Sequence, residues 1–225
     1  MSIIFTSQKF IEQLNKALNT TTVYGSGGFG ASIGNFPSQA QRYYKNNLER
    51  LGQAEANRVL ETAKIKPSYA FDCVCLVKGI LWGWNEIATD VYGGAKPCSN
   101  GVPDVGAGKD GLIKYCKDVT TDFSNVLAGE LLWLDGHVGV YIGNGEAIEC
   151  TTAWTNNVQK TVVKNIRTVK NGEHGRSWTS HGKLPWVDYS TAQMYSVVIA
   201  GFTSKSDAEK VQAALKVLGT NSIIK

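Results

Sequence analysis

Apolar residues recur at helical spacing in the first part of the chain and at alternate positions in the second. Phe10, Ile11, Leu14 and Leu18 form one stripe, with Ser7 placed to cap it, which predicts a helix over residues 7–19. Pro37-Ser38 opens a second helix over 38–50, and Gly52 separates it from a third over 54–64. The most strongly patterned segment is Cys73–Ile87. Cys73, Leu76, Val77, Ile80, Trp84 and Ile87 share one face of that predicted helix, while Cys75, Gly79 and Gly83 make a second face of small residues, suited to close packing. From residue 130 the period drops to two. Strands are predicted at Glu130–Leu134, His137–Ile142, Glu146–Thr151, Val158–Arg167 and Leu184–Val187. Helices followed by an antiparallel sheet make an α+β fold.

Between these elements lie two notable loops. The run Gly25-Ser26-Gly27-Gly28-Phe29-Gly30 lacks the spacing and the Gly-Lys-Ser/Thr ending of phosphate loops, so it reads as a flexible connection or pocket rim. Residues 92–109 read as a long loop, of the kind that often carries function, with a short helix over 110–118 after it. The pattern restarts beyond Tyr189. A strand over 195–201 precedes a helix over 206–218 with Ala208, Val211, Leu215 and Leu218 as its stripe, and a further strand opens at Ser222. So short a βα(β) segment buries no core alone. The chain thus divides into a main domain, 1–190, and a segment, 191–225.

Composition narrows the class. The 225 residues are 43% hydrophobic and 19% charged, enough for one ordinary domain with an appendage and unlike a disordered chain. No apolar run approaches the roughly 18 residues of a membrane span, so no membrane insertion is expected. Met1 to Lys9 lack a basic region followed by an apolar stretch, so no secretory signal is expected. The net charge of +4 is scattered rather than gathered in a stripe, which argues against nucleic acid and suits an anionic polymer. Five cysteines exclude a full disulfide framework, and Cys73-x-Cys75 is not a zinc knuckle. Neither metal nor cofactor is expected.

Three residues could together do chemistry. Cys73 follows Asp72, a good N-cap, and so opens a helix whose amides and dipole favour a thiolate; the structural alternative is a buried core cysteine. His137 begins a strand with Gly136 and Gly139 around it, which leaves room for close approach. Glu149 depends on register. A two-residue Asn144-Gly145 loop would set it opposite Val140, facing the core. A three-residue Gly143-Asn144-Gly145 loop would set it opposite Gly139, on the face of His137, and would make the other face uniformly apolar: Val138, Val140, Ile142, Ile148 and Cys150. The second register is favoured. A carboxylate there could hold one imidazole nitrogen and make the other more basic. Whether helix start and hairpin meet in space stays open at this level.

At these residues the chain resembles the NlpC-type cell-wall cysteine peptidases, a papain-like family. Their nucleophile motif Asp-Cys-Ser-Gly-Leu-Val corresponds to Asp72-Cys73-Val74-Cys75-Leu76-Val77, and their His-Val-Gly-Ile-Tyr-x-Gly to His137-Val138-Gly139-Val140-Tyr141-Ile142-Gly143, with Glu149 at the third polar position. The resemblance spans about residues 5–190. It implies a nucleophile helix packed on an antiparallel sheet, and hydrolysis of an amide in peptidoglycan stem peptides by Cys73, with His137 as acid and base and Glu149 orienting it. It implies an oxyanion site at the Cys73 amide, with Tyr24 the candidate supporting hydroxyl and Asp72 beside it. Cys75 replaces the family's usual glycine and reads as packing; Glu149 replaces the more common His, Asn or Gln. A phage endolysin, made in the host cytoplasm and released to the wall, fits the missing signal. The tail resembles the opening half of a SPOR-type wall-binding domain. The expected bond is that between D-glutamate and the diamino acid. The alternatives are a muramoyl-L-alanine amidase, an inactive wall-binding module, and a papain-like acyltransferase or deamidase acting on proteins.

Overall fold

A computed structural model describes residues 3–190. The predicted helices form close to their expected bounds: α1 (Ser7–Asn19), α2 (Pro37–Arg50) and α3 (Gln53–Thr62). Thr6, not Ser7, caps α1, its hydroxyl accepting from the Lys9 amide at 3.2 Å. Pro37 sits at the start of α2, where its missing N–H costs nothing.

Among the described residues twelve strands accompany them: β1 (Phe5–Thr6), β2 (Thr22–Tyr24), β3 (Phe29–Ser32), β4 (Tyr69–Phe71), β5 (Lys117–Thr120), β6 (Leu131–Leu134), β7 (His137–Gly143), β8 (Glu146–Thr151), β9 (Asn157–Val163), β10 (Gly175–Arg176), β11 (Ser180–Lys183) and β12 (Val187–Asp188). The large sheet runs β10-β9-β8-β7-β6-β11-β5, antiparallel except for the parallel β9–β10 pair. A three-stranded sheet, β2-β4-β3, lies within the helical half, and β1 pairs with β12. The mixture of helices and sheets is consistent with an α+β class.

Helix α4 (Cys73–Leu81), which opens on the candidate nucleophile Cys73, is shorter than its pattern predicts. Trp82 ends it, and Gly83 turns the chain with a φ of 97° that side chains disfavour. Trp84 is still buried, edge-on to Tyr69 and Phe71, but Ile87 is exposed, so the apolar spacing outlasts the helix. The long face of α4 packs on the sheet, with Leu76, Val77 and Ile80 in one core with Val138, Val140, Ile148 and Cys150. Its small face meets β3. A Cβ on Gly79 would lie 2.5 Å from the Phe29 carbonyl oxygen, which is why no side chain fits there.

Other segments depart from expectation. Residues 110–118 form a 3-10 turn (Leu112–Tyr115) and then β5, not a helix. The strand expected over 158–167 ends at Val163, and the one expected over 184–187 is replaced by β11 and β12. The loop after α4 is tied to it: Lys78 is buried and bonds the Asp104 carboxylate and, at 2.8 Å, the Val105 carbonyl, while Trp82 donates to the Val102 carbonyl at 3.0 Å. Among the described residues no helix is long and apolar enough to cross a membrane. The segment read as SPOR-like, 191–225, lies outside the described residues.

Candidate active site

Strand β4 delivers the chain to the start of α4, and Asp72 makes the joint rigid. One of its carboxylate oxygens accepts from the Cys75 amide at 2.7 Å, the other from the Gly27 amide at 2.8 Å. The first is an N-cap bond. The second pins the glycine-rich loop, which is therefore no flexible rim: Gly25, Ser26 and Gly28 are buried, and a Cβ on Gly28 would lie 2.7 Å from the Ala70 carbonyl oxygen. With both oxygens on backbone amides, Asp72 is built into the scaffold rather than aimed at a ligand.

Cys73 thus opens α4 and is buried. The Tyr24 hydroxyl and the backbone amides of Val138 and Val74 are the neighbouring groups that favour the thiolate, and Val138 shares one buried core with Cys73. Tyr24 is brought there by β2, which runs parallel to β4 with Tyr24 opposite Phe71. Asn47 steadies that strand end, donating to the Tyr24 carbonyl at 2.8 Å. The helix start was expected to lower the thiol's pKa. Instead burial, and then the neighbouring Asp72 carboxylate, push it up to about 11, against the Val138 and Val74 amides and the Tyr24 hydroxyl. The capping carboxylate already occupies the positive end of the helix, so little of that field is left for the sulfur.

Val138 adjoins His137, so the sulfur lies against the strand that carries the histidine. Its Nε2 is 2.6 Å from Glu149 Oε2, which leaves Nδ1 without a carboxylate partner. The register arises in a way neither sequence alternative described. The turn has two residues, with Gly143 opposite Glu146, but a bulge beside Ile142 then sets Tyr141 opposite Ala147 and Val140 opposite Ile148. Continued one step, Glu149 falls opposite Gly139, next but one to His137 along the strand. Gly139 is needed there. A Cβ on it would lie 2.9 Å from the Trp178 ring and 3.3 Å from the Glu149 Cβ. Trp178 stacks on the His137 ring, centroids 5.6 Å apart and planes 14° apart, which fixes the imidazole plane.

Glu149 has no exposed surface, yet all its acceptor capacity is used. Oε1 accepts from the Thr161 hydroxyl at 2.6 Å, and the Arg176 guanidinium reaches both oxygens, its Nε lying 3.0 Å from Oε2. Burial works to raise the carboxyl's pKa, but the His137, Arg176 and Thr161 bonds outweigh it and hold it below the ordinary value. Arg176 and Trp178 had no sequence signal. They come from a two-residue strand and the chain after it, where no periodicity can register. Cys75 is buried on the β3 side of α4, its thiol pushed upward by burial and then by Asp72. Among the described residues no cluster of three or more His, Cys, Asp or Glu side chains could hold a metal.

No known family model and no curated protein sequence matches the chain.

Proposed function

We propose that the protein is a papain-like thiol hydrolase that cleaves an amide bond in peptidoglycan stem peptides. The observation that supports this reading is the His137–Glu149 pair, 2.6 Å apart, on the strand whose Val138 packs in one core with Cys73 at the start of α4, with Tyr24 among the groups acting on that thiol. A nucleophile, an oriented base and a hydroxyl for the oxyanion are the parts an acyl transfer needs. The wall substrate follows from the NlpC-type resemblance of the two motifs.

The resting thiol is neutral, so His137 acts as general base when substrate arrives. Its Nδ1 takes the proton as Cys73 Sγ bonds to the carbonyl carbon. The carbonyl oxygen gains the negative charge and is held by the Cys73 amide, an N–H with no partner inside its own helix, and by the Tyr24 hydroxyl. His137 returns the proton to the amine, which leaves as the C–N bond breaks. It then takes a proton from water, whose oxygen attacks the thioester and restores the thiol. Of the bonds in reach, the D-glutamyl–diamino acid link is our choice; the muramoyl-L-alanine link is the alternative.

Purified peptidoglycan of several wall types, digested with the native chain and with Cys73→Ser, tests this by mass spectrometry of the fragments. Fragments from the native chain and a loss of at least 1,000-fold in the variant are expected. Their new termini identify the bond. No fragments from any wall type, or full digestion by Cys73→Ser, would overturn the reading.

A further inference from the structure

Resting on the reading of His137 as the base, we infer that Arg176 is a positioning residue that cancels the charge of Glu149, so that the imidazole faces a fixed acceptor of no net charge. A buried carboxylate 2.6 Å from an imidazole would, if alone, draw a proton onto the ring and keep it there. A base that must take a proton and give it away twice per turnover works best when its affinity lies near the working pH. The guanidinium supplies the compensation. It lies 3.0 Å from Glu149 Oε2 through both Nε and Nη2, and it stays charged at any relevant pH.

Hydrogen-bond satisfaction alone would not call for an arginine. Thr161 already serves one carboxylate oxygen and His137 the other, so what the guanidinium adds is its charge. The placement is well supported. Arg176 also reaches the Thr151 hydroxyl at 3.4 Å, and its guanidinium lies 5.2 Å from the Trp154 ring centre and 5.8 Å from that of Trp178. Trp178 is the same indole that stacks on His137, so one ring lies against two of the three partners of Glu149. Arg176 sits opposite Val163 in the β9–β10 pair. Gly175 allows that approach, since a Cβ there would lie 2.5 Å from Val169 Cγ2. The charged groups tied to the imidazole are Glu149 from β8, which bonds it, and Arg176 from β10, which bonds Glu149, while Cys73 with its capping Asp72 lies at the start of α4 against the neighbouring Val138.

The test follows the His137 imidazole by NMR across pH, the resonance assigned with His137→Gln, in the full chain. In Arg176→Met the His137 titration moves up by about one pH unit, because the carboxylate is no longer compensated. Arg176→Lys keeps the charge and titrates close to the native chain. The double variant Glu149→Gln with Arg176→Met carries neither charge and returns to the native midpoint. A folded Arg176→Met with an unmoved midpoint would overturn the inference, as would a double variant shifted as far as the single one. Should Arg176→Met fail to fold, Glu149→Gln alone decides: the guanidinium is then uncompensated and the midpoint moves down, and an unmoved midpoint overturns the inference. The imidazole titration needs no substrate, so a failure to cut any wall preparation would remove the proposed reaction and leave this result standing.

Discussion

Gly139 shows how much of the site depends on a single absent atom. Trp178 lies over its Cα, and the same indole stacks on His137. Gly139→Ala puts a methyl 2.9 Å from that buried ring, so the indole must move and the imidazole moves with it. Overpacking of this kind costs about 1–3 kcal/mol. We expect a matching loss in denaturant midpoint and a fall of at least tenfold in the proposed wall hydrolysis, a misplacement effect larger than the stability loss explains. Native activity in a folded Gly139→Ala chain would show that the Trp178 stack does not orient His137. At this scale the sequence was partly legible. Cys73, His137 and Glu149 could be singled out because each lies in a long, regular element whose periodicity assigns its face. Arg176 could not, because a two-residue strand has no period, and its meeting with Glu149 depends on the fold of residues 164–174.

The elements repeat that lesson. Helix α1 is readable from its stripe and cap, since a helix of ten or more residues displays its buried face several times, and α2 and α3 from Pro37 and Gly52 at their ends. Strands β2, β3 and β4 are not, being three or four residues long and mostly buried. The end of α4 was misread because Trp84 is buried for a reason unrelated to the helix, its contact with Tyr69 and Phe71. The start of α4 carries a prediction of its own. Asp72 both caps the helix and raises the thiol's pKa, so its charge and its hydrogen bonds can be separated. Asp72→Ala loses the cap and the Gly27 tie, and should cost about 1–2 kcal/mol. Asp72→Asn keeps an equivalent cap and loses only the Gly27 acceptor and the charge. It should remain the more stable of the two, while its Cys73 reacts with iodoacetamide faster than the native residue at pH 8, read by peptide mapping. An unchanged alkylation rate would mean that burial alone sets the thiol.

For the whole molecule, the alkaline limb of stability against pH is expected to follow a second histidine–carboxylate pair. His181 of β11 and Glu130 are both buried, and their side chains are hydrogen-bonded through Nδ1. The other ring nitrogen lies 2.9 Å from the Asp122 carbonyl oxygen. Both nitrogens thus face acceptors, an arrangement that a neutral imidazole, with one N–H, cannot satisfy. Burial works against the imidazolium, but the Glu130 bond and the Asp122 carbonyl outweigh it, and the pKa lies above 6.5. A group whose folded pKa is raised gives its full stabilisation below its unfolded pKa and loses it as pH climbs through the folded value. Glu149 has the opposite sense. Its pKa is held below 4.5, so its share is present above that pH and lost as pH falls through the lowered value. The melting temperature should therefore plateau between about pH 4.5 and 6.5 and fall on either side. Each unit by which the His181 pKa is raised corresponds to about 1.4 kcal/mol, or roughly 3–6 °C for a chain of this size. Glu130→Gln removes the charge that holds the imidazolium, so the decline above pH 6.5 should flatten while the acid limb stays. A native-like alkaline slope in that variant would assign the decline to other groups, the Cys150 and Cys116 thiols first, which burial keeps protonated in the fold and which ionise in the unfolded chain only nearer pH 9.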